Sequence, residues 1–153
     1  MTLSELEKRI KMLEDIKEIE TLQNQYVYYL TNHQWDEIMD CFTENATVNV
    51  YTHGLKHGKK EIMAVFKDEI AKLPQGKDRD GHSIFQPVIT VEGNKAKGQW
   101  LMYVWVSDPA TGNAQKWWNG KYDNEFERVD GKWKISALVW TYPWPITPES
   151  YPK

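Results

Sequence analysis

The hydrophobic period of this sequence switches to two from Ser83 onward. Before it, outside one short alternating stretch, apolar residues recur every three or four positions, as one face of a helix requires. After it they alternate, as a half-buried strand requires. Helices first and hairpin-linked strands afterwards make an α+β layout, because a parallel sheet would need strands and helices in alternation. The expected architecture is three N-terminal helices packed on a strongly curved antiparallel sheet that closes over an aromatic-lined pocket.

The helical part divides into three. Leu3, Leu6, Ile10, Leu13, Ile16, Ile19, Leu22 and Tyr26 form a one-faced stripe, and Thr2 and Glu5 have capping-box spacing. The polar stretch Thr31-Asn32-His33-Gln34 ends this helix near Asn32. Trp35, Ile38, Met39 and Phe42 predict a short second helix. After a break at Glu44-Asn45, residues Thr47 to Thr52 alternate and are rich in β-branched side chains, as strands are. Gly58 precedes a third helix with Ile62, Val65, Phe66 and Ile70 on one face. Pro74, Gly76 and Gly81 bound a charged loop. Beyond it, four strands are predicted over Ile84–Val91, Lys95–Ser107, Ala114–Val129 and Lys132–Thr141. The connection Asp130-Gly131 is a strong hairpin signal.

Strand phase assigns the faces. Ala96, Gly98, Trp100, Met102, Val104 and Val106 form one set, expected to face the helices with Trp118, Gly120, Tyr122, Asn124 and Phe126. Asn119, Lys121, Asp123, Glu125 and Glu127 fall on the opposite side. Leu101, Tyr103 and Trp105 also point outward, which is too much apolar surface for a solvated back face. A homodimer through this outer face accounts for them.

A chain of 153 residues suits one domain, here residues 1–142 with an irregular tail over 143–153 that holds four prolines, Trp144 and Tyr151. The net charge of -3, with both signs dispersed, argues against a nucleic-acid surface; Lys59-Lys60, the densest basic spot, reads as a solvated helix start. No apolar run approaches the ~20 residues of a membrane span. The acidic, amphipathic N-terminus does not read as a signal peptide, and the lone Cys41 fits a reducing compartment, so a cytoplasmic location is expected. Eight Trp and eight Tyr, mostly in the C-terminal half, suit a pocket, an interface or a sheet core.

Three stretches carry a family resemblance. They are Tyr26-Val27-Tyr28-Tyr29-Leu30 with Trp35-Asp36 and Phe42-Thr43-Glu44-Asn45-Ala46; the histidine-led His82 to Gly93; and Gly120 to Arg128 with Gly131-Lys132-Trp133-Lys134-Ile135. In this order they resemble the SnoaL-like branch of the nuclear-transport-factor-2-like superfamily, whose relatives include polyketide cyclases, dehydratases and ketosteroid isomerases. The resemblance implies a cystatin-like cone of helices on a curved sheet and cofactor-free chemistry. It implies that His82 matches a catalytic base and Tyr26 a tyrosine that polarises a substrate oxygen. An imidazole titrates near neutrality, and a buried phenol can donate to a developing oxyanion. The sequence departs from the family where an aspartate commonly orients the histidine, since Thr31 stands there; Gln34 replaces a second acid, and Val104 a third.

Each candidate has a plainer reading. His82 could be a strand-edge histidine, and Tyr26 a core residue with a satisfied hydroxyl. Tyr29 falls on a neighbouring helix face, and Thr31 or Asn124 could assist through a hydrogen bond or a water. Trp100, Met102, Val104, Trp118, Tyr122 and Phe126 could line an apolar small-molecule site or simply fill the cone. His53 and His57 flank a turn with no carboxylate beside them in sequence, so no metal site is expected. His33 reads as a solvated turn residue, and Cys41 as a small core residue. No phosphate loop, dinucleotide fingerprint or nucleophile elbow occurs. Two functions remain open: an enzyme acting on a ring ketone or hydroxy-ring substrate through His82 and Tyr26, or a non-catalytic binder of apolar ligands. A partner-binding module resting on the Leu101, Tyr103 and Trp105 patch is a third.

Overall fold

The computed structural model describes residues 1–50, 53–72, 80–108 and 110–143, with the backbone alone at residues 80 and 114–116. Most of the charged loop after Pro74 and the tail beyond Pro143 lie outside the described residues. The first helix, α1 (Leu3–Thr31), opens on the expected capping box: the Glu5 N–H donates to Thr2 Oγ1 at 3.2 Å and the Thr2 N–H to Glu5 Oε2 at 2.7 Å. Ile19, Tyr26, Val27 and Leu30 are buried. The stripe does not stay buried along its whole length, because Leu3, Leu6, Ile10 and Leu13 are exposed. The sheet reaches α1 only from Asp15 onward, where Arg128 and Trp133 donate to its carboxylate.

Helix α2 (Trp35–Asp40) is short, and Phe42 opens a strand instead of closing the helix. That strand, β1 (Phe42–Val50), carries Glu44-Asn45 as a local irregularity, which is why the two residues read as a break. A four-residue strand, β2 (Gly54–His57), follows where only a turn was expected, flanked by Gly54 and Gly58 at positive φ. Helix α3 (Gly58–Ala64) widens into a π turn over Val65–Glu69 and tightens into a 3₁₀ turn over Ile70–Lys72. Then come β3 (Asp80–Glu92), β4 (Lys95–Ser107), β5 (Ala114–Val129) and β6 (Lys132–Thr141). The last three match their predicted limits; β3 begins earlier, so Gly81 is a strand residue and not a loop boundary.

The strand order is β2-β1-β6-β5-β4-β3. All neighbours are antiparallel except β1 and β6, which run parallel. The sheet is therefore mixed, not purely antiparallel. Local turn chemistry sets the direction of β3 to β6, but β1 meets its partner from the far end of the chain, and no turn residue records that direction. Gln86, at φ 54 before Pro87, marks a bulge in β3, and a second register shift falls between Glu125 and Phe126. Bulges bend the strands that carry them.

The helices cover one face. Ala96, Trp100, Met102, Val104 and Val106 from β4, with Tyr122 and Phe126 from β5, are buried there. Tyr26 meets Phe42, Phe66 and Tyr122 edge-on, with ring centroids 5.8 to 6.3 Å apart. One amide pair crosses this core. Asn124 Nδ2 donates to Gln23 Oε1 at 2.9 Å, and the Val139 N–H donates to Asn124 Oδ1 at 3.2 Å.

Candidate functional site

The register of the sheet places the first site. His82 on β3 lies opposite Val104 on β4, and Val104 lies opposite Trp118 on β5. Directly opposed residues share a face. Val104 is buried under the helices, so His82 and Trp118 face the helices too. The row runs across the end of the sheet where β3 and β5 begin and β4 ends. Above it ends α1, and its last residue, Thr31, has Oγ1 3.2 Å from His82 Nδ1. Val104 and Thr31 thus lie on two sides of the histidine. His82, Thr31 and Trp118 are half-buried, so this end of the core keeps some access.

Deeper residues are packed. Trp100, Met102, Tyr122 and Phe126, expected along a pocket wall, are each under 5 % exposed and belong to one continuous core. Tyr26 lies among them, at 1 % exposure. Burial, reinforced by the neighbouring Tyr122 phenol, raises its pKa well above the ordinary tyrosine value. Its hydroxyl therefore stays protonated and can act only as a neutral hydrogen-bonding group. Asn124, expected to assist at the site, has its amide committed to Gln23 and Val139.

Tyr29 points elsewhere. It lines a surface groove of about 730 Å³ between α1, α2 and the β5–β6 hairpin, together with Leu22, Gln25, Cys41 and Trp133. Cys41 is buried at its edge, and burial pushes the thiol up to about 11, which fits a packing role. His53 does have an acidic neighbour in space: Glu69 Oε2 lies 2.7 Å from its Nδ1, and Lys56 approaches the same carboxylate. Among the described residues, no three His, Cys, Asp or Glu side chains converge as metal ligands would. His33 is not merely solvated, because its ring stacks on Trp35 at 5.1 Å, and Trp35 stacks on Phe66. Gln23 was missed, although its spacing four after Ile19 and three before Tyr26 already put an amide on the core face.

Comparison with known proteins follows from this geometry. A family model described as a SnoaL-like domain matches residues 11–139. The chain belongs to the SnoaL-like family. Its fold is also that of solved structures of low identity. A nuclear-transport-factor-2-like protein with a cystatin-like fold from Novosphingobium aromaticivorans is 19% identical, with 93% of this chain and 90% of that one covered and a TM-score of 0.78. A hexachlorocyclohexane dehydrochlorinase from Novosphingobium barchaimii is 16% identical over 89% of this chain and 91% of that one, at a TM-score of 0.74. A nuclear-transport-factor-2-like superfamily protein from Salmonella enterica is 17% identical over 89% and 96%, at 0.71. No curated protein matches the chain. At these identities the structures establish the fold, and the SnoaL-like scaffold carries more than one function.

Proposed function

We propose that this SnoaL-like protein takes a small apolar, ring-bearing molecule at the open end of the sheet and moves a proton on it with His82. The observation that carries this reading is the Thr31–His82 contact beside Val104 and Trp118. A hydroxyl at Nδ1 fixes the plane of the imidazole, as a base needs if it is to meet a C–H bond at a defined angle. Thr31 is the last residue of α1, so the negative end of the helix dipole lies beside the imidazole. Trp118 offers a flat apolar wall to a ring. The reaction class is a cofactor-free elimination or isomerisation of a ring ketone or hydroxy-ring compound. Tyr26, which the resemblance matches to a substrate-polarising tyrosine, is packed behind this end against Tyr122 and would bear on the substrate only as part of the wall beneath it.

A dehydrochlorinase on the same fold supports a lyase reading, since elimination also begins with removal of a ring proton. The packed state of Tyr26, Trp100, Met102, Tyr122 and Phe126 favours the alternative, a non-catalytic binder that holds its ligand at the mouth alone. Turnover of a panel of cyclic enones, hydroxy-ketones and chlorinated rings, read by absorbance, separates the two. His82→Ala should lower kcat by about 10²–10⁴-fold, the usual contribution of a general base. Thr31→Val should lower kcat less, with KM little changed. Ligand binding by wild type and His82→Ala alike, with no turnover by either, would leave the binder.

We also infer that two copies pair through the outer sheet face. Leu101 and Tyr103 are exposed there, Phe85 lies beside Leu101, and Trp117 beside Trp105. Phe85 contacts Tyr103 and Trp105 contacts Trp117, so the patch is a continuous aromatic surface.

A further inference from the structure

We propose that the N-terminal overhang of α1 is a pairing helix that zips in parallel, in register, onto the same segment of a second copy. Residues 3–14 are all exposed, and the segment up to Leu13, roughly 16 Å long at 1.5 Å per residue, precedes the groove against the β5–β6 hairpin, which Glu14 begins to line. A helix of that length is marginal alone in water, where about 12–15 residues is the lower limit even for favourable sequences. It nevertheless carries four large apolar side chains on one seam. Leu3 is 74 % exposed and Leu13 66 %, with Leu6 and Ile10 between them also exposed.

The spacing of these four is three, four, three. That is the alternation of first and fourth positions in a heptad, the narrow seam of a two-stranded coiled coil rather than the wider face a globular core needs. Leu3 and Ile10 occupy first positions, Leu6 and Leu13 fourth positions. A β-branched residue at the first position with leucine at the fourth favours two parallel strands. The seam stops where the body starts: the next first position is Lys17, and Asp15 just before it is held by Arg128 and Trp133.

Charge selects the partner and its direction. In this register Arg9 flanks the seam on one side and Glu14 on the other. A parallel, in-register pair sets Arg9 of each helix against Glu14 of the other, giving two opposite-charge contacts. An antiparallel pair would set Arg9 against Arg9. Within its own chain, Arg9 makes only a weak contact with the Met1 sulfur at 3.5 Å, and neither Arg9 nor Glu14 has an ionic partner among the described residues. The occupant that fits is a second copy of this chain. The contact is separate from the outer sheet face, so either can exist without the other.

Cysteine cross-linking of the full chain tests this. Cys41 is buried and does not compete. Leu6→Cys and Leu13→Cys should each form disulfide-linked dimers under mild oxidation, roughly tenfold or more faster than Glu5→Cys, because paired thiols meet at a high effective concentration. Arg9→Glu should slow this linkage, and Arg9→Glu combined with Glu14→Arg should restore it. The same set is run with Leu101→Glu and Tyr103→Glu added, so that loss of the sheet-face contact is read separately. Leu6→Cys linking no faster than Glu5→Cys, or linking preferentially to Leu13→Cys, overturns parallel pairing. So does a rate that ignores the charge at position 9.

Discussion

Asp15 shows how much one residue can depend on its surroundings. Burial alone would raise its pKa, but hydrogen bonds from Lys11, Trp133 and Arg128, with the Arg128 charge, more than offset this and hold it below the ordinary value of 3.8. Arg128 also lies over the Trp133 ring at 4.6 Å. The carboxylate is therefore more stable folded than unfolded. Its contribution is complete above the unfolded pKa and disappears as pH falls through the lower folded one. Acid unfolding followed by tryptophan fluorescence should show a stability drop below about pH 4 that Asp15→Asn lacks, with the variant less stable at neutral pH. Identical slopes in acid would remove Asp15 from this role. The sequence offered no hint of the network, since its members lie at opposite ends of the chain. The same limit applied at the site. No spacing relates Thr31 to His82, whose pairing is implied by the resemblance alone, and Gln23 reads as an interruption because it is an amide in an apolar stripe.

At the scale of elements, the period-two pattern predicted three strands to the residue because side-chain alternation and turn residues agree there. It failed for β2, which is four residues long and carries no alternation to read, and for α3, where apolar spacing cannot distinguish an α-helix from its π and 3₁₀ extensions. The inner face of β5 shows what the alternation protects. A Cβ on Gly120 would fall inside the indole of Trp140, which crosses from β6 so that its Nε1–H can reach Met102 Sδ at 2.7 Å. Gly120→Ala should therefore destabilise the fold by about 1–3 kcal/mol through overpacking, measured by urea unfolding. Shortening Trp140 in the same chain should reduce that cost, since the two residues share one space. An unchanged urea midpoint for Gly120→Ala would mean that Trp140 moves aside freely.

For the whole molecule, the fold was legible because helical and extended segments are separated in sequence, while the mixed character of the sheet was not. The outer face was legible for the opposite reason: Leu101, Tyr103 and Trp105 break the polar pattern that β5 keeps at Asp123, Glu125 and Glu127. Sedimentation of Leu101→Glu with Tyr103→Glu should show a smaller species than wild type, with unchanged circular dichroism. An unaltered sedimentation coefficient would reassign the patch. The parallel contact of β1 with β6 has a further consequence, for the order in which the molecule forms. Strands β3 to β6 are joined by short connections and can pair as each is made, whereas β1 must wait for the last strand of the chain. Closing so long a loop comes late in folding. On a ribosome, β1 and β2 would emerge early and pair with each other, but the other edge of β1 would stay open until β6 is complete, through most of synthesis. In pulse-labelled hydrogen exchange, amides of β1 that bond to β6 should gain protection after those between β4 and β5.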